Sequence, residues 1–420
     1  MPSTNPALIP SIRDLLPGWP QLGIPPDNVL KQLTSGLVRI QRRVEIYEAD
    51  MVTPWDVDNW DARLVDGSIT VDRERDERRM CDFSLDNTDN ALKNNPRNGF
   101  WYDKILKAFW GIKFYDTASG QWIRWETPLG VFMIDRIGEG RFPNTIKVTG
   151  RDLSKKCIIS GLSQTIAFPQ GVAIETIIQA VAANAGITQF ALPITGNAYA
   201  QDIVFTRGTA RWKVIKDLAD LIGYEVYFRP DGVLTMRQIP DPTLSPVAWS
   251  FTNDFGGSLV DYDKSTDDSR VFNHIIVTGA ALGAEPSALA GAVTGSDVSE
   301  IVFAEALNTD PASPTRIARI GDRTKPYESD YFTSVAQAQD YANLMLRIAS
   351  LEEYDMNFSS LIIPFLDASD IVEIQQSSDD IYTPSRFLLS SFTLPMSLGP
   401  MTGVARRTTI TGSKQNTEFQ

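Results

Sequence analysis

The residues from Thr127 to Pro240 constrain this chain most, because they spell out a run of connected strands and helices with no cleft-forming break. An apolar strand, TPLGVFMIDRI from Thr127 to Ile137, passes a Gly/Pro/Asn turn and returns as NTIKVTGRDL from Asn144 to Leu153, a β-meander. A helix is predicted over Ala173 to Ala185. A second begins at a capping residue, Thr209, and carries Trp212, Ile215, Leu218, Ala219 and Ile222 at helical spacing until Gly223 stops it. YEVYFRPDGVLTMRQIP then reads as strand, Pro-Asp-Gly turn and strand, the short-range signature of a hairpin. Each large apolar side chain on the second helix is worth roughly 1.5–3 kcal/mol when fully buried, so that helix must pack, and the hairpin behind it is the nearest surface.

The flanks are β-rich. LVRIQRRVEIYEAD alternates with period two, setting Val38 and Ile40, then Val44 and Ile46, on one face, with an irregularity expected at Arg42 and Arg43. Strands follow at Ser68–Asp72 and Met80–Leu85, joined by the charged RERDERR run (Arg73 to Arg79), whose alternating signs predict a salt-laced connection. A short amphipathic helix is predicted around Tyr102 to Phe109, then a hairpin turning between Asp116 and Gly120. Beyond Pro246, VAWSFTNDF, SLVDYDKSTDDSR and VFNHIIVTG restore β character, until an Ala/Gly/Ser/Pro-rich insertion intervenes from Ala280 to about Phe332. A capping box, Ser334 with Gln337, opens a helix running to about Leu351, and four further strands end the chain.

A chain of 420 residues exceeds one ordinary core and implies several domains. Its 43% apolar and 22% charged residues are those of a globular protein, and its apolar windows fall short of the roughly 20 residues of a membrane span. Five prolines in the first twenty residues would break a signal core, so synthesis and folding in the cytoplasm are expected. Residues 1–37 hold seven prolines in their first 26 positions with apolar residues between them, and read as an extended arm that packs on a neighbour. The net charge of −13 disfavours stable binding to a phosphate backbone.

Catalytic chemistry finds little to work with. His274 is the only histidine and lies in a strand context, where a packed or edge role is expected, and Cys81 and Cys157 sit in different elements. One histidine and two distant cysteines assemble neither a His-dependent triad nor an ordinary zinc site. Acidic clusters, Asp56, Asp58, Asp61 and Asp66, then Asp86 and Asp89, are the places where paired-carboxylate chemistry could arise, and are read as solvated turns. The first also resembles a calcium loop, without the sixth-position Gly or the closing Glu. Gly138-Glu139-Gly140 lacks a third spaced Gly and a following helix, and is expected as a hairpin turn. Trp101, Tyr102, Phe109, Trp110, Phe114, Tyr115, Trp122 and Trp125 interleave with charges; a sugar platform is conceivable chemically, and a core role is expected for most. No catalytic, cofactor-binding or metal-binding residue is therefore assigned.

In their order, RVEIYEAD, TPLGVFMIDRI, NTIKVTGRDL, TARWKVIKDLADLIGYEVYFRPDGVL, NHIIVTG, DPASPTRIARIGDR and DIVEIQQ with SRFLLSSFTLPM resemble the hub proteins at the tail tip or baseplate of tailed phages and contractile injection systems. The resemblance spans most of Val38 to Gly412 and rests on order, each segment alone being generic. It implies a mainly β fold with α+β parts: two tail-tube-like β-barrel domains, an intervening α/β domain and an insertion in the second barrel. The expected boundaries are an arm over 1–37, a first barrel over 38–153, an α/β domain over 154–241, a second barrel over 242–279 and 333–415, the insertion over 280–332 and a tail over 416–420. A helix among strands in each half suggests two related barrels. The resemblance further implies a structural, non-enzymatic homotrimer in the virion. Such a trimer surrounds the channel for tape-measure protein and DNA, and joins the tail tube or distal tail ring to tip, spike or fibre proteins. A carboxylate-dependent cell-wall glycan hydrolase and a sugar-binding adhesin are the alternatives from other classes.

Overall fold

The computed structural model describes residues 39–408, with Val29 and Gln32, apart from 56–62, 98, 118–119, 141–143, 200, 241–244, 254–256, 266–270, 282–300, 312, 330, 351, 375–384 and 398. The chain is mainly β with α+β parts, as expected. The first β region comprises β1 (Arg39–Tyr47), β2 (Leu64–Asp72), β3 (Arg79–Asp86), β4 (Ile105–Asp116), β5 (Gln121–Gly140) and β6 (Thr145–Arg151). The middle region holds α1 (Lys155–Ile158), β7 (Ile166–Phe168), α2 (Ile174–Ala183), β8 (Phe190–Ala191), β9 (Ile203–Phe205), α3 (Arg211–Leu221), β10 (Tyr224–Phe228) and β11 (Leu234–Gln238). There follow β12 (Val247–Phe251), β13 (Leu259–Ser265), β14 (His274–Ala281), β15 (Ile301–Leu307), α4 (Ile317–Ile320), β16 (Thr324–Glu328) and α5 (Val335–Ser350). Last come β17 (Glu352–Ser360), β18 (Ile371–Ile374), β19 (Ser385–Pro395) and β20 (Met401–Thr408).

Twelve strands from the two ends of the chain make one sheet, ordered β1-β4-β5-β6-β3-β2-β19-β20-β17-β13, with β18 on β19 and β12 parallel to β18. The seam is the antiparallel β2–β19 ladder, Asp72 opposite Ser391 to Ser68 opposite Pro395, with the Thr70 and Thr393 hydroxyls 3.1 Å apart. Apolar residues of both ends, among them Phe83, Phe132, Phe358, Phe387 and Phe392, close over it as one continuous core that also takes in Val29. Apart from Val29 and Gln32, the Pro-rich arm, like the 416–420 tail, lies outside the described residues.

Three local expectations fail, each because strand pairing overrides the local pattern. The helix predicted at Tyr102–Phe109 is the start of β4, because Leu106, Ala108, Trp110, Ile112 and Phe114 bury one face at period two against β1 and β5. The irregularity expected at Arg42 and Arg43 is absent: β1 pairs with β4 in unbroken register. Arg42 keeps its place in the alternation because its long stem carries the guanidinium out to the Met396 carbonyl, 2.5 Å away, while Arg43 lies over the Phe109 ring. Gly138–Gly140, expected as a turn, is the end of β5, paired with Lys147 to Thr145 of β6.

In the middle region α2 and α3 pack together over the β10–β11 hairpin, burying Ile177, Ile178, Val181, Trp212, Ile215 and Leu218 with Phe228, Leu234 and Met236. The N-cap of α3 is Ala210, one residue past the expected Thr209, whose hydroxyl donates to the Thr206 carbonyl. Gly223 ends the helix at φ +72°, a conformation that only glycine adopts without strain. The helix opened by Ser334 is capped as expected, its hydroxyl accepting the Gln337 N–H at 3.3 Å.

The NHIIVTG strand, expected in the second barrel, pairs elsewhere. As β14 it is the middle strand of a separate sheet, antiparallel to β15 and parallel to β16, and α5 covers one face of that sheet. The inserted strands supply both partners, and the small residues Ala338 and Ala342 let the helix approach Ile275, Val277 and Val302 closely.

Candidate functional site

Among the described residues, a buried ionic node stands where the two β ends meet the middle region. The β2–β3 connection brings Arg78 and Arg79 inward, both almost wholly buried. In the β10–β11 hairpin Glu225 stands opposite Arg237 in register, so one cross-strand pair delivers both signs to one spot. The segment before β18 turns inward at Ser369, which holds φ +66°, and presents Asp367 and Asp370. Glu225 then receives Arg78 Nη2 at 2.8 Å, Arg237 Nε at 2.6 Å and the Ser369 hydroxyl at 2.8 Å. Arg79 meets Asp367 at 2.6 Å, and Arg237 meets Asp370 at 3.2 Å and also donates to the Ala368 carbonyl. The Arg78 guanidinium lies 3.9 Å from the centroid of the Tyr227 ring.

Electrostatics follow from burial and pairing. Burial alone would raise the Glu225 pKa, but Arg78 and Arg237, with Arg73 behind them, outweigh it and hold the carboxyl at about 2. Burial dominates at Asp152 and at Tyr227, whose pKa values are raised. The Asp152 carboxylate also accepts the Arg79 backbone N–H at 2.9 Å and the Ser154 N–H at 3.0 Å. These groups are committed to one another across three segments distant in sequence. The arrangement orients those segments, with the Ser369 hydroxyl donating to Glu225 and the Ser154 hydroxyl to Asp152. RERDERR is thus a salt-laced connection, as read, but its last two arginines are interior.

The other candidate residues are dispersed. Asp56, Asp58 and Asp61 lie outside the described residues. Asp66 accepts the Gly67 N–H, Asp86 accepts the Thr88 hydroxyl at 3.0 Å, and Asp89 binds Arg63, whose hydrogen bonds lower its carboxyl to about 2. Cys81 and Cys157 are free and buried, with thiol pKa values raised by burial, Cys157 to about 12. Among the described residues no three His, Cys, Asp or Glu converge as a metal site, and no helix is long and apolar enough to cross a membrane. His274 sits mid-sheet on the open face of β14, with Nδ1 3.1 Å from Asp322 and Nε2 3.5 Å from Glu305.

The aromatic residues divide. Trp110 and Phe114 are core, and Trp125 packs against it. Tyr115 and Trp122, opposite each other at the tip of the β4–β5 hairpin, are exposed and meet edge to face with centroids 5.7 Å apart. Sequence reasoning missed the node. Its signal was present as Glu225 and Arg237 in otherwise apolar strands, but their opposition depends on hairpin register, and Asp367 is brought in only by tertiary contact.

No family model matches the chain and no curated protein matches it. Its fold is shared with solved tail proteins. The tail protein of Neisseria meningitidis MC58 is 14% identical with a TM-score of 0.57, covering 87% of this chain and 96% of that one. The 43 kDa tail protein of prophage MuSo2 from Shewanella oneidensis is 12% identical with a TM-score of 0.56, covering 88% and 98%. Prophage tail protein gp18 of Listeria monocytogenes EGD-e is 10% identical with a TM-score of 0.51, covering 87% and 94%.

Proposed function

We propose that this chain, having the fold of these prophage tail proteins, is a structural hub of a phage tail tip or baseplate, built into the virion and without catalytic activity. The observation that carries the reading is the extent of the likeness: it takes in 94–98% of each of three tail proteins, so the whole architecture is shared and no module is borrowed. The ionic node supports the same reading, since a hub that bears load between neighbours needs its segments locked at defined angles.

In this reading three copies form a ring, each contributing two β units, one from β1–β6 and one from β12, β13 and β17–β20. The ring encircles the channel for tape-measure protein and DNA, and joins the tail tube or distal tail ring to tip, spike or fibre proteins. The charge of −13 suits a wall past which DNA slides without sticking. The N-terminal arm would reach a neighbouring subunit. Native mass spectrometry of particle-derived material tests the stoichiometry: a trimer is expected, and a hexamer with one β unit per position refutes the pseudo-sixfold arrangement. A map of the native particle with this chain away from the tail axis refutes the hub itself.

A further inference from the structure

Two exposed patches of this chain complement each other. The first is the outward face of the β1–β4–β5 strands. Register places Arg39, Lys113 and Arg124 in one row and Tyr115 opposite Trp122 in the next, all on the same face, because directly opposed strand residues share a side. Trp122 is 64% exposed and Tyr115 49%, and Lys113 Nζ lies 5.5 Å from the Trp122 ring centroid. Further along the same face stand Arg43, paired with Glu45 and Glu126, and Lys107, which donates to the Met51 carbonyl beside Asp50, so five cations share this face with three carboxylates in a chain whose net charge is −13. An aromatic tip on a basic stem is a concentrated exception to the molecule's charge.

The second patch is the face of the β15–β14–β16 sheet that α5 leaves open. Along β15 the burial alternates strictly, turning Ile301, Phe303 and Leu307 outward at 52%, 50% and 41% exposure. Between and beside them are carboxylates: Glu305 on β15, Glu328 on β16 and Asp322 just before β16, all exposed. The strand positions of this open face carry no lysine or arginine among the described residues. β15 is moreover an edge strand of this sheet. An exposed apolar row on an edge strand is a surface that soluble proteins cover with a partner.

We infer that the β4–β5 hairpin tip of one copy docks on the open face of the β15–β14–β16 sheet of the next copy. Tyr115 and Trp122 lie among Ile301, Phe303 and Leu307, and the basic row faces Glu305, Asp322 and Glu328. The occupant is a second copy because one chain carries both halves of the match in chemistry and in sign. The two patches differ, so the contact is heterologous, and heterologous contacts close into rings when the rotation permits. This rests on the ring reading proposed above and specifies the contact that would build the ring. The tip aromatics anchor affinity, while the charges set register and make association sensitive to salt.

The test uses the full chain. A photo-crosslinking phenylalanine analogue replaces Trp122, and this protein is mixed with an isotopically labelled copy before irradiation. The expected product joins residue 122 of one copy to the 301–307 segment of the other. In parallel, sedimentation compares wild type, the Lys113→Glu/Arg124→Glu pair, the Glu305→Lys/Glu328→Lys pair and the four changes together. Each pair is expected to weaken association roughly tenfold or more, and the combination to recover most of it. An oligomer that persists unchanged in both pairs, with no 122-to-301–307 product, overturns the docking and leaves the ring reading standing. Crosslinks from residue 122 to another tail protein in intact particles would instead assign the tip to that partner and likewise overturn it. A chain that is monomeric both in isolation and in particles overturns both readings.

Discussion

Replacing Glu225 by glutamine keeps the side chain's shape and removes the negative charge between Arg78 and Arg237, so the variant isolates the electrostatic part of the node. Glu225 is a suitable probe because its side chain is only 13% exposed and solvent screens little of its field. Displacement of its pKa from an ordinary 4.5 to about 2 corresponds to about 3 kcal/mol of folding stability at neutral pH. The sign follows from the depressed folded-state value. The contribution is fully present above pH 4.5 and is lost as pH falls through about 2, where the wild-type side chain is itself neutral. Urea unfolding of wild type and Glu225→Gln, followed by tryptophan fluorescence, should therefore show a gap of about 3 kcal/mol at pH 7 that narrows steadily below pH 4.5. Arg237 retains Asp370 in the variant, so the fold survives to be measured. A gap that stays constant from pH 7 to pH 3, or one below about 1 kcal/mol at pH 7, would refute the assignment of Glu225 as the charge that balances the node.

Leu218 is wholly buried between α2, α3 and the hairpin, so Leu218→Asp should cost about 4 kcal/mol or more and abolish soluble expression; an unchanged melting temperature would overturn the packing described for α3. Burial, ahead of the nearby Asp217 and Glu225, pushes the Asp220 carboxyl up to about 7, so ionising it opposes folding and stability falls as pH rises from 3.8 to 7. Because the side chain is partly exposed, Asp220→Asn should gain only about 1–2 kcal/mol at pH 8 and nothing at pH 4, and equal melting temperatures at pH 8 would refute this. Deleting residues 1–28 spares Val29, which packs in the main core, and should give near-native circular dichroism with failure to enter tail tips; normal incorporation would reduce the arm to a dispensable tail.

What could be read from residues alone was whatever depends on neighbours in the chain. The α3 stripe of Trp212, Ile215, Leu218 and Ala219, the Gly223 stop, the turn before β11 and the Ser334 cap are local, and each stands where the pattern put it. Order carried further than any motif, because a mainly β fold with a helical middle follows from the succession of such segments. Where the local pattern was ambiguous, tertiary pairing decided. KILKAF can bury an amphipathic face as helix or strand, and it is a strand because β1 and β5 satisfy its backbone on both sides. VFNHIIVTG is apolar enough for either β region, and its partners β15 and β16 come from the insertion, which no periodicity within the strand records. The β2–β19 seam and the node lie beyond sequence reading for the same reason. A charge such as Arg79 or Asp367 looks solvated in sequence. Only closure of segments nearly 300 residues apart removes it from water and makes its partner obligatory.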